Sequence, residues 1–118
     1  MNSITLPIIA SEYQDIENPG ELQIFQTVRE LEQDIEPYDI DEGWFFDGEG
    51  QVIEMLPVWK PVHTSKARPT GRYDKKKLEA LLRFQLQSLE IEGYGVGDEC
   101  KKEENIHVMV SELQKLTD

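Results

Sequence analysis

A chain of 118 residues with 24 acids, 12 bases and a formal net charge of −12 has the length of one domain. Leu, Ile, Val and Phe supply 32 residues, about 27%, above the roughly 20% below which a highly charged chain stays disordered, so an acidic α+β domain over 1–118 is expected. No apolar run approaches the ~20 residues that span a bilayer, and the lone Cys100 excludes an internal disulfide framework and a cysteine-rich zinc cage.

In chain order, Ile4–Ile9 is apolar and β-branched and reads as a short strand that sits on an edge or breaks at Pro7. The first side-chain charge is Glu12, so the N-terminus lacks the basic region of a secretory signal, and the expected location is cytoplasmic, without a membrane. Asn18-Pro19-Gly20 punctuates the chain. Apolar residues at 22, 25, 28, 31 and 35 then predict a helix over 21–36, stopped by Pro37.

Trp44-Phe45-Phe46 and Val52-Ile53-Glu54-Met55-Leu56 flank Asp47-Gly48-Glu49-Gly50, the pattern of a β-hairpin over 42–58. With Gly48-Glu49 at the turn, Phe46 faces Gln51, and Trp44, Phe46, Ile53 and Met55 share one apolar face. Phe45, Val52, Glu54 and Leu56 take the other. A slip of one residue inverts that assignment.

Residues 58–73 hold prolines and bases with no helical or strand period and are expected to form a loop, the least protected internal stretch. Asp74 caps a helix over 74–92 with its stripe at Leu78, Leu81, Leu82, Leu86 and Leu89. Lys75, Lys76 and Lys77 in its first turn oppose the macrodipole. A connector from Tyr94 to Lys102 leads to a last helix, 103–117, with Ile106, Met109, Val110, Leu113 and Leu116 on one side. The expected class is therefore α+β: a small antiparallel sheet built on the 42–58 hairpin, with about three helices over one face.

Charge is laid out in blocks. Residues 1–57 carry −13, residues 58–83 carry +6, and residues 84–118 carry −5. The basic segment either lies beside acidic faces of its own fold or leaves the acidic half to a basic partner or a second copy. Nucleic acid is disfavoured, because phosphate meets an overall field of −12.

Candidate chemistry is sparse. Cys100, with Lys101 and Lys102 beside it, pairs on paper with His63 or His107, yet no glycine elbow or oxyanion motif accompanies it. Asp39-Ile40-Asp41-Glu42-Gly43 begins like a calcium loop, but the ligand and glycine positions that follow are wrong, so no metal and no cofactor is expected. The candidate interaction residues are Trp59, Lys60, His63, Lys66, Arg68 and Arg72 in the basic segment, with Asp39, Asp41 and Glu42 in the acidic one. Trp59 has a second reading, as an anchor that closes the hairpin onto the core.

Two functional classes follow. One is a non-enzymatic acidic module that binds a basic protein surface, or itself, similar in charge and size alone to small inhibitor, immunity or adaptor proteins. The other is a small enzyme or an anion- or nucleic-acid-binding protein that uses 58–73.

Overall fold

The structure is a computed structural model that describes residues 3–91 and 106–117. In chain order the elements are β1 (Ile8–Ala10), β2 (Gln23–Phe25), α1 (Val28–Asp34), β3 (Phe45–Phe46), β4 (Gln51–Val58), β5 (Thr64–Tyr73), α2 (Lys75–Ile91) and α3 (Ile106–Thr117). The strands form one antiparallel sheet in the order β2-β1-β3-β4-β5, and with three helices among the described residues the fold is α+β.

Strand alternation sends apolar side chains to both sides of this sheet. Ile9 and Phe46, with Leu22, Ile24, Trp44 and Val52 at their margin, pack on α2 and α3 through Leu78, Leu81, Leu82, Leu86, Leu89, Ile106, Met109, Val110 and Leu113. Ile8, Ala10, Phe25, Phe45, Ile53 and Met55 pack on the opposite side against Leu31 of α1, with Val28, Ile35 and Ile40 around them. The helices thus divide between the two faces instead of covering one. A sheet with an apolar residue at nearly every position of its central strands has no polar face to leave in water.

The register explains the split. Phe46 pairs with Val52, one residue beyond the expected Gln51. Phe46, Ile53 and Met55 are buried as expected, but Ile53 and Met55 share Phe45's side, while Trp44 stays half-buried on the other. The slip has a local cause: Asp47, Gly48, Glu49 and Gly50 all belong to the turn. The Asp47 carboxylate accepts from the backbone N–H of Glu49 at 2.9 Å and of Gln51 at 2.8 Å.

The expected helix over 21–36 is also revised. Gln23–Phe25 pairs with β1 as a strand, and the helix begins only after Thr27. The Thr27 hydroxyl accepts from the Glu30 N–H at 3.1 Å, and the Glu30 carboxylate reaches back to the Gln26 N–H at 3.2 Å. This is a capping box displaced by one residue, and it fixes the helix start more firmly than apolar spacing does. The first strand covers 8–10 rather than 4–9: it starts just after Pro7, and it lies between β2 and β3 rather than at an edge.

The largest correction concerns 58–73. Thr64–Tyr73 is a ten-residue edge strand, paired with β4 from Val58↔Thr64 to Ile53↔Pro69 and again at Gln51↔Tyr73. Between Ile53 and Gln51 the register shifts, and Gly71 takes a positive φ of 74° there. Its N–H is accepted by Gln51 Oε1 at 2.9 Å, and Thr70 Oγ1 donates to the Val52 carbonyl. Side chains therefore replace the ladder where the strand bulges. Asp74 caps α2 as expected, its carboxylate accepting from the Lys77 N–H at 3.1 Å. The stripe of α3 is buried at 106, 109, 110 and 113. The connector 94–102, with Cys100, and the starting residues 103–105 of the last expected helix lie outside the described residues.

Candidate interaction surface

β4 and β5 are joined by residues 59–63, and this short connection carries three of the residues singled out from the sequence. Trp59 does not anchor the hairpin onto the core. It is 46% exposed, Val62 is 63% exposed, and Lys60, Pro61 and His63 are exposed as well.

The rings are not isolated. Tyr38, 65% exposed in the turn between α1 and β3, lies with its centroid 5.1 Å from Trp59 and 6.0 Å from His63. Trp59 and His63 are 5.5 Å apart, and the three ring planes meet at 73°, 72° and 81°. Edge-to-face contacts of this kind hold aromatic side chains in place without burying them. Tyr38 was the residue that sequence reasoning missed. It occupies the same loop as Asp39, Asp41 and Glu42, and pairing between elements distant in sequence brings it to Trp59.

That loop is a succession of turns: the Asp39 N–H donates to the Glu36 carbonyl at 2.9 Å and the Glu42 N–H to the Asp39 carbonyl at 3.2 Å. Such turns turn side chains outward, and Glu36, Asp39, Asp41 and Glu42 are all exposed. Residues 36–42 hold four acids, and residues 59–63 hold one cation, Lys60. Elsewhere, the Tyr13 phenol is raised above its ordinary range chiefly by hydrogen bonding to Glu12 and by the charge of Glu12, with burial next and the charge of Glu42 contributing least.

The remaining bases lie along β5. Arg68 pairs with Glu54 on β4, both side chains well exposed. Lys66 and Arg72 are exposed and make no ion pair among the described residues. So the basic segment meets an acid of 1–57 at one of its candidate positions. The backbone of β5 is better guarded: the Ala67 N–H is taken by Glu32 Oε2 at 2.8 Å, Pro69 has none, and the Gly71 N–H is held by Gln51. Engaging edge donors in this way blocks pairing with a foreign strand.

Of the other chemical candidates, His107 does not converge on the tip. His107 on α3 has Nε2 3.4 Å from Glu49 Oε1, at the turn that begins β4, whereas His63 follows the far end of that strand. No group of three His, Cys, Asp or Glu side chains among the described residues is placed to hold a metal ion, and no helix among them is long and apolar enough to cross a membrane. The chain matches no protein-family model, no curated protein and no solved structure.

Proposed function

We propose that this chain is a non-enzymatic acidic interaction module that binds a basic protein surface through the tip formed by Tyr38, Trp59, Val62 and His63. The observation that carries this reading is the exposed three-ring cluster, one ring of which, Tyr38, sits in the loop that also carries the exposed Asp39, Asp41 and Glu42. Trp and Tyr dominate the binding energy of protein interfaces, since each offers large rigid area at a small entropic cost. Charges at the rim steer encounter and set its salt dependence more than they set affinity.

Affinity capture from source-cell extract at low and high salt tests this, with wild type compared with Trp59→Ala/Tyr38→Ala and with Asp39→Asn/Asp41→Asn/Glu42→Gln. A basic protein retained by wild type, lost with the ring variant and weakened by both the charge variant and high salt is the expected result. Retention indifferent to both variants sinks the proposal. A second reading, the anion or nucleic-acid site, rests on Lys66 and Arg72, which are exposed and make no ion pair among the described residues. Retention on a polyanion column that disappears in Lys66→Ala/Arg72→Ala favours it.

A further inference from the structure

We infer that Tyr38, Trp59 and His63 form a receptor for an alkylammonium group, namely a methylated lysine side chain presented by the basic partner; this rests on the interaction-module reading and deepens it. Three rings whose planes stand 72–81° apart, with centroids 5.1–6.0 Å from one another, touch edge to face and leave much of each ring in water. The faces of such rings are the electron-rich side of the π quadrupole and attract a cation within about 6 Å of the centroid. An exposed site favours a methylated ammonium over a bare one, because the methyl groups weaken hydration of the charge and themselves pack on the rings.

Two further observations point to a cation. The loop that carries Tyr38 holds Glu36, Asp39, Asp41 and Glu42, all exposed, so the potential around the rings favours positive charge. The fold also uses the same contact internally: Lys77 Nζ sits 4.5 Å from the centre of the Trp44 ring. No cation of the described chain occupies the tip rings in that way, although Lys60 is adjacent in sequence.

The experiment is an NMR titration of the full chain, following the indole N–H of Trp59, with four probes. They are a short basic peptide carrying one trimethyl-lysine, the same peptide with unmodified lysine, the same peptide with a neutral isostere in which carbon replaces the ammonium nitrogen, and tetramethylammonium alone. The trimethyl-lysine peptide is expected to bind about fivefold or more tightly than the neutral isostere, with the unmodified peptide between or below. Trp59→Leu, which keeps apolar bulk and removes the π face, is expected to abolish the difference, and Trp59→Phe to restore part of it. Equal binding of cation and isostere, or a preference that survives Trp59→Leu, overturns the receptor. Tetramethylammonium binding as tightly as the peptide overturns the lysine as its source. If the titration fails while capture of a basic protein still depends on Trp59, the receptor falls and the interaction module stands; if capture is also indifferent to Trp59, both fall.

Discussion

The two ends of β4 reverse the usual rule of polar outside and apolar inside, each in its own direction. At its start, Asp47 and Gln51 are fully buried; just past its end, Trp59 and its ring partners are in water. The buried polar end is closed by hydrogen bonds. Asp47 Oδ2 accepts from the Thr5 N–H at 3.0 Å and from Gln51 Nε2 at 2.8 Å, and Oδ1 holds the Glu49 and Gln51 N–H groups. Gln51 Nε2 also donates to the Ser3 carbonyl at 2.9 Å, and its Oε1 holds Gly71. No buried side-chain polar atom among the described residues is left without a partner. A network this fully satisfied specifies structure: it ties the residues before β1, the β3–β4 turn and the end of β5 into one knot. The aromatic end makes no comparable network: Tyr38, Trp59 and His63 touch one another edge to face and stay exposed.

The contrast predicts a descending series of effects. Asp47→Ala leaves four donors without their acceptor and is expected to destabilise by about 3 kcal/mol or more in urea denaturation. Asp47→Asn restores little of this, because its amide nitrogen must face the Thr5 and Gln51 donors or displace those at Oδ1. A cost near zero for Asp47→Ala would make the knot decorative and dissolve the comparison.

Next in size is Gly50→Ala. Gly50 has φ of 84°, and an added Cβ would lie 2.8 Å from Lys75 Cγ and 3.2 Å from Lys75 Cα, against the start of α2. The expected loss is about 1–3 kcal/mol, from a strained backbone and a displaced helix terminus. A change of a few tenths in the same assay would show that the turn relaxes freely.

At the other end, Trp59→Leu is expected to cost less than about 1.5 kcal/mol, the scale of lost ring–ring contacts, while removing partner binding. A loss as large as that of Asp47→Ala would recast the tip as structural. Smallest of all is Arg68→Ala, which breaks the exposed pair with Glu54. It is expected to cost about 0–1 kcal/mol at low salt and less at high salt. A larger, salt-independent loss would mean that Arg68 packs along β4 instead of merely pairing across it.

How much of this was legible beforehand differs by region. The hairpin around Asp47–Gly50 and the stripes of α2 and α3 announce themselves, since strong local periods and a glycine turn are bounded by a capping aspartate. β5 does not. Its ten residues include Lys66, Arg68, Pro69, Gly71 and Arg72, which as an isolated string resemble a loop, and they suit an edge strand for the same reason: proline and charge are what an edge tolerates. Its buried side needs only Ser65 and the partly buried Ala67, because α1 lies close and Glu32 completes the backbone.

The candidate site was half legible. Trp59, Lys60 and His63 stood out as an aromatic and basic run, and Asp39, Asp41 and Glu42 as an acidic one, but their union was not written in either. Local sequence alone determined the turn chemistry, the helix stripes, the α+β class and the separation of charge, because each depends on residues within a few positions of one another. Tertiary structure decided the one-residue register of β3 on β4, the division of helices between two faces, the strand in 64–73 and the meeting of Tyr38 with Trp59 and His63. Those depend on which distant segments compete for the same backbone donors and the same apolar surface, and that competition is settled only when the whole sheet is assembled.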